Sequence, residues 1–239
     1  MDSETIQTLL RRTLGIKKNG IALKQAKQEP AGIEAYADMN NICYMMAEAL
    51  EEQKTFYTTL KDHVCTLGCA ATGLDPVLEQ MSDEERAQSD QYHTAAINIF
   101  PSEEIQNRAE QQARALFPQF SETFKAIIIG PFGHVPEPDA VILFGTPEQI
   151  HLLTRAYCYA TGSFIKGFAG MGACRMLLPQ VIINKEPIFT ISDRAWRRAF
   201  SLAPDELTLA TPLDKLIIML ENLELSVSAG TAARIKPQV

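Results

Sequence analysis

The sequence predicts an α+β fold: a single domain of 239 residues in which a central mixed β-sheet is covered by helices and carries a polar helical insertion. Three observations lead there. Short apolar runs at 126–129 and 140–144 have the length and β-branched content of buried strands. Longer stretches repeat their apolar residues at helical spacing. The two kinds of unit alternate irregularly, and a hairpin is expected near 188–209, which argues against a doubly wound parallel sheet. With 46% hydrophobic and 21% charged residues, the chain can bury a core without disulfide support.

In chain order, Ile6, Leu9, Leu10 and Thr13 recur at helical spacing and Gly15 supplies a stop, so a short helix spans 4–14. Ile21 and Leu23 share one parity, giving a partly buried strand that ends before the turn at Pro30 and Gly32. From Asn41 onward Ile42, Met45, Met46, Ala49 and Leu50 form an apolar stripe opposite Glu48, Glu51 and Glu52, hence an amphipathic helix. Residues 55–60 are aromatic and β-branched and read as a strand. The stretch 75–123 is more polar, with helix starts at Ser82 and after Ser102, and reads as an insertion or lid. Buried strands follow at 126–129 and 140–144. Thr146-Pro147-Glu148-Gln149 then combines an N-cap, a proline in the first turn and a glutamine that closes a capping box. Thr211-Pro212 opens the last amphipathic helix, and residues 229–239 read as a loose tail.

Charge narrows the function. With 22 Lys and Arg against 29 Asp and Glu, the net charge is −7, and no basic run reverses it locally, so nucleic-acid binding is not expected. Nothing at the start resembles a signal peptide, and no apolar stretch approaches the roughly 20 residues that cross a bilayer. The expectation is a soluble cytoplasmic protein with no membrane association. A small molecule or metal is the expected partner, and a homo-oligomer is compatible with the composition.

Familiar catalytic signatures are missing. The sequence contains no HExxH, no GxxxxGK[ST], no GxSxG and no Cys-x-x-Cys. Five cysteines, at 43, 65, 69, 158 and 174, cannot all pair within one chain and read as thiols or ligands. Cys43 stands at the start of a helix, where exposed N–H groups favour a thiolate, and Cys174 follows a glycine-rich run from Gly167 to Gly172. Soft thiolates gathered from distant segments are what an iron–sulfur cluster or a thiophilic metal ion requires. Small buried apolar cysteines are the competing reading, and Cys158, on the helix after Thr146, is assigned to it. His63 can ligate a metal or serve as a hydrogen-bonded histidine at a strand end.

One basic cluster stands out, Asp193-Arg194-Ala195-Trp196-Arg197-Arg198. Arg197 and Arg198, with Trp196 over them and the loop around Gly170 beneath, could hold a small anionic metabolite without any metal. A third reading makes Cys65 a nucleophile with His63 or another histidine as its base, which requires a depressed thiol pKa at Cys65. Its orienting carboxylate would come from elsewhere, Asp139 being the candidate, although that position also suits an ordinary turn residue.

The motif Asp62-His63-x-Cys65-x2-Gly68 with Gly73-Leu74 resembles the uncharacterised family called domain of unknown function 169, or uncharacterised ArCR. So do Glu137-Pro138-Asp139-Ala140-Val141 leading to Thr146-Pro147-Glu148-Gln149, then Gly170 with Cys174, Arg197, Asp205-Glu206-Leu207 and Pro212. The resemblance implies a shared fold and no particular activity. It implies cysteines at the positions of Cys43, Cys65 and Cys174 and leaves Cys69 and Cys158 outside the pattern. The family often carries a further cysteine where this chain has Asp193. The expected metal ligands are therefore Cys43, Cys65, Cys174 and Asp193, with a redox-related role, and the carboxylate would be the hardest and most labile of the four.

Overall fold

The computed structural model describes residues 1–74, 100–170 and 172–232. Its centre is one eight-stranded sheet, built from β1 (Ile21–Ala26), β2 (Glu34–Ala35), β3 (Phe56–Thr58), β4 (Ala126–Pro131), β5 (Ala140–Gly145), β6 (Lys166–Phe168), β7 (Ile188–Thr190) and β8 (Leu207–Thr211) in the order β2-β3-β4-β1-β5-β8-β7-β6. The two outermost pairs are parallel and the remaining pairs antiparallel, so the sheet is mixed and the fold is α+β.

The apolar runs are continuous because both faces of the sheet are covered. In β4, Ile127 and Ile129 join one core while Ile128 joins the other; in β5, Ala140, Ile142 and Phe144 separate in the same way from Val141 and Leu143. Alternation is present, but each parity finds apolar cover. On the second face lie α1 (Ser3–Leu14), α5 (Pro147–Thr161), α8 (Leu213–Glu221) and α9 (Leu223–Ala232), through Ile6, Leu10, Leu153 and Met219 among others. On the first face lie α2 (Ile42–Glu51), α3 (Thr66–Thr72), α6 (Ala173–Ile182) and α7 (Arg194–Ala199). A further helix, α4 (Glu103–Leu116), leads to Phe117, whose ring meets Phe168 edge-on at 4.9 Å.

Capping chemistry places several of these helices. Asp2 accepts from the Thr5 amide at 2.8 Å to start α1, and Gly15 ends it at φ 68°. Thr146 and Gln149 close the box that starts α5, and Gln149 also donates to the Leu14 carbonyl at 2.9 Å, joining the end of α1 to the start of α5.

Some expectations shift. Residues 55–60 are a strand only as far as Thr58, because the Asp62 carboxylate accepts from the Thr59 amide at 2.7 Å and turns Leu60–Asp62 into a 3₁₀ helix. The hairpin expected near 188–209 is an antiparallel pair, β7 with β8, but α7 stands between the strands. The expected tail starts as helix, since α9 runs to Ala232, and the helix start at Ser82 lies outside the described residues.

Candidate functional site

Four connections converge on the face covered by α2, α3, α6 and α7. The entries to α2 and α3 are tied to each other by a bridge between Asn40 and His63: the Asn40 amide donates to the Asp62 carbonyl at 2.9 Å and the Val64 amide to the Asn40 carbonyl at 3.2 Å. The bridge brings Cys43, second residue of α2, toward Cys65, the residue that opens α3. Gly68, three residues on, packs so closely on Ile42 that a Cβ would lie 2.8 Å from the isoleucine methyl. Only glycine leaves room for that approach.

The entries to α6 and α7 are tied differently. One oxygen of Asp193 accepts from the Trp196 amide at 2.9 Å, capping its own helix, and the other accepts from the Ala173 amide at 2.6 Å, at the start of α6 beside Cys174. Asp193 thereby holds two helices with one carboxylate. Replacing it with alanine removes both bonds and is expected to cost about 2 kcal/mol in chemical denaturation, with asparagine recovering the larger part. A loss within a few tenths of a kcal/mol would show that the carboxylate does not join the helices.

Electrostatics reveals how near these groups stand. Burial pushes the Cys43 thiol up to about 12, and the charges that Cys65 and Asp193 can carry push in the same direction. Burial raises Cys174 well above the ordinary thiol value, helped by Cys65, Cys43 and Asp193. Cys65 is raised by burial too, against lowering contributions from the Gly68 and Leu67 amides, with Asp193 adding to the rise. Three thiols and one carboxylate thus share one neighbourhood, with Cys43 and Cys174 buried and Cys65 and Asp193 partly exposed, and at neutral pH the thiols keep their protons.

That corrects two expectations. Cys43 is not a thiolate prepared by its helix, because desolvation outweighs the N-terminal amides. Cys65 lacks the depressed pKa that a nucleophile needs. Its expected base is engaged elsewhere as well: His63 Nε2 lies 3.1 Å from Thr58 Oγ1, and His63 Nδ1 is buried without a hydrogen-bond partner. Burial lowers the His63 pKa to about 4, with Asp62 partly offsetting the effect. Asp139 acts as a turn anchor, accepting from the Gln25 amide at 2.8 Å and standing 3.8 Å from Lys185.

The side chains of the basic cluster are put to separate uses. Trp196 is 1% exposed in the core, where its indole N–H donates to Thr208 Oγ1 at 3.1 Å. The Arg197 guanidinium donates to the carbonyls of Ile191 at 2.8 Å, Glu206 at 3.0 Å and also Ala203, tying the loop between α7 and β8 to the end of β7. Arg198 is exposed on α7. Gly170, at φ 148°, has open space around it, while a Cβ on Gly167 would collide with the Phe189 ring. Cys69 is buried one turn beyond Cys65, and Cys158 lies on α5, which covers the opposite sheet face.

None of the five cysteines forms a disulfide. Among the described residues, no three His, Cys, Asp or Glu side chains are grouped tightly enough to hold a single metal ion, and no helix is long and apolar enough to cross a membrane. Sequence reading gave no role to Asn40, which pairs backbone with His63, and named Gly68 only within the family motif, without the close approach it permits. Gly68 carried a signal, as a glycine one turn from a cysteine in a helix-forming stretch.

Sheet, helices and buried thiols together define an α+β protein whose polar chemistry is gathered where four helices begin. The chain belongs to the family of domain of unknown function 169, uncharacterised ArCR, whose profile matches residues 9–222. It is also similar to an uncharacterised protein of Methanocaldococcus jannaschii, at 26% identity over 215 residues covering 87% of this chain and 88% of that protein. No solved structure matches it.

Proposed function

We propose that the protein binds an iron–sulfur cluster or another thiophilic metal group through Cys43, Cys65 and Cys174, with Asp193 beside them, and serves a redox-related role in a reducing compartment. The observation carrying this reading is the tying of four separate segments near these groups: the Asn40–His63 bridge joins the starts of α2 and α3, and the Asp193 carboxylate joins the starts of α6 and α7. Sequestering three protonated thiols in one neighbourhood prepares a ligand set whose deprotonation is driven by metal binding. Five cysteines without a disulfide suit a compartment that keeps thiols reduced. Three thiolates and a weaker carboxylate would leave one position at which a substrate could displace a ligand, which is how a metal acts as a Lewis acid.

Anaerobic purification followed by metal analysis and absorption spectroscopy tests the reading. Wild-type protein is expected to carry iron or another soft metal, and each of Cys43→Ser, Cys65→Ser and Cys174→Ser to lose most of it, while Cys158→Ser retains it. A colourless, metal-free protein that cannot be loaded with iron and sulfide or zinc, and whose triple serine variant melts unchanged, overturns it.

A further inference from the structure

The sheet consists of two halves with the same strand order, β2-β3-β4-β1 and β6-β7-β8-β5, meeting at the β1–β5 pair. Their registers also match. In the first half Glu34 pairs with Phe56, Phe56 with Ile129 and Ile129 with Leu23. In the second Lys166 pairs with Ile188, Ile188 with Ala210 and Ala210 with Ile142. Strand directions agree at every step: the outer pair is parallel and the next two antiparallel in both halves. Exchanging the halves turns the central pair Ile21–Ile142 into Ala140–Leu23, which is also a pair in the structure. An internal two-fold axis therefore passes through the sheet at Ala22 and Val141.

The helices on the first face obey the same exchange. α2 follows β2 as α6 follows β6, and α3 follows β3 as α7 follows β7. Accordingly α3 packs on α6 and α2 on α7. Cys43 and Cys174 both occupy the second residue of a ten-residue helix, and Cys65 and Asp193 are both the residue preceding the next one. The four groups of the candidate site are thus two equivalent pairs.

Symmetry restricts what can bind. One ion held by such pairs would sit on the axis with the ligands converging on a point, yet no three of these side chains are so grouped among the described residues. A cluster removes that requirement, because different ligands bind different metals and bridging sulfide fills the space between them. Cys43 and Cys174 each lie in the first turn of their helix, where N-terminal amides favour the negative charge that thiolate-ligated clusters carry.

Building on the metal-binding reading above, we infer that a sulfide-bridged cluster of at least two metal ions straddles the internal axis, the first half of the chain supplying Cys43 and Cys65 and the second half Cys174 and Asp193. Each thiol releases its proton to solvent as its sulfur binds metal. Asp193 is the weak member of the second pair, so metal is lost first from that side.

Anaerobic reconstitution of the full chain with ferric iron, sulfide and dithiothreitol tests the inference, read by iron and sulfide content and by the rate of iron loss to EDTA. At least two irons and two sulfides per chain are expected. Asp193→Cys should keep that stoichiometry while losing iron about tenfold more slowly, the scale on which changes around a metal site shift affinity. Asp193→Asn, which preserves a helix cap, should lose iron faster than wild type, and a circular-dichroism melt confirms that both variants fold. One metal per chain without sulfide, dependent on the three cysteines, overturns the cluster and leaves the metal reading standing. Iron loss unchanged in both folded variants overturns the pairing with Asp193. Failure to bind any metal overturns both.

Discussion

Replacing Trp196 with alanine is expected to destabilise the protein by about 3–5 kcal/mol, the cost typical of deleting a large aromatic side chain from a core. The indole is 1% exposed and packs on Phe200 with ring centroids 4.9 Å apart. Removing it leaves a cavity beneath α7. It also strips Thr208 Oγ1 of the indole N–H, leaving it only the Ser192 hydroxyl at 2.9 Å. Trp196→Phe keeps most of the packing and loses the hydrogen bond, so about 1–2 kcal/mol is expected there. Because Trp196 is the only tryptophan, unfolding should be followed by far-ultraviolet circular dichroism in urea rather than by fluorescence. A Trp196→Ala midpoint within experimental error of wild type would refute the core role and reopen this residue as a ligand platform.

Acidification is the second large effect. His63 titrates at about 4 in the folded protein, whereas an exposed histidine titrates near 6.5. Between those values the unfolded chain holds a proton that the native protein does not. Stability from this residue is therefore complete above pH 6.5 and declines as pH falls toward 4, by about 3 kcal/mol in all. The cause is burial: His63 is 7% exposed, and Thr58 and Asp62 are its polar neighbours. Urea midpoints measured from pH 7 to pH 4 should show the decline, and His63→Gln should flatten it by about the slope of one proton. Equal slopes in the two proteins would contradict the buried, neutral imidazole.

Sequence patterns carried the elements whose side chains do the specifying. The Thr146–Gln149 capping box, the stripe of α2 and the apolar runs of β4 and β5 are written in residues that act over one turn or one strand, so they could be read from the chain alone. Edge strands β2 and β6 escaped because they are two and three residues long, mostly exposed, and held by backbone pairing that leaves no alternating pattern. Helix α6 escaped for the opposite reason: nine of its ten residues are buried, so it shows no polar face from which a helical period could be read.

The same division applies to the site. The sequence alone, with its family likeness, singled out Cys43, Cys65, Cys174 and Asp193, since residue type and family pattern are properties of the chain. It misjudged their state. Helix position suggested an acidified thiol at Cys43, but burial raises it, and burial is decided by what packs against a residue from elsewhere. It also offered Trp196 and Arg197 to a ligand, when the fold uses one for the core and the other to tie the loop after α7 to the end of β7 through three carbonyls. Pairing Cys43 with Cys174 and Cys65 with Asp193 belongs wholly to the tertiary structure. Strand register, set by backbone hydrogen bonds across the sheet, relates segments that share little side-chain chemistry, so the internal axis exists in space without appearing as a repeat in the chain.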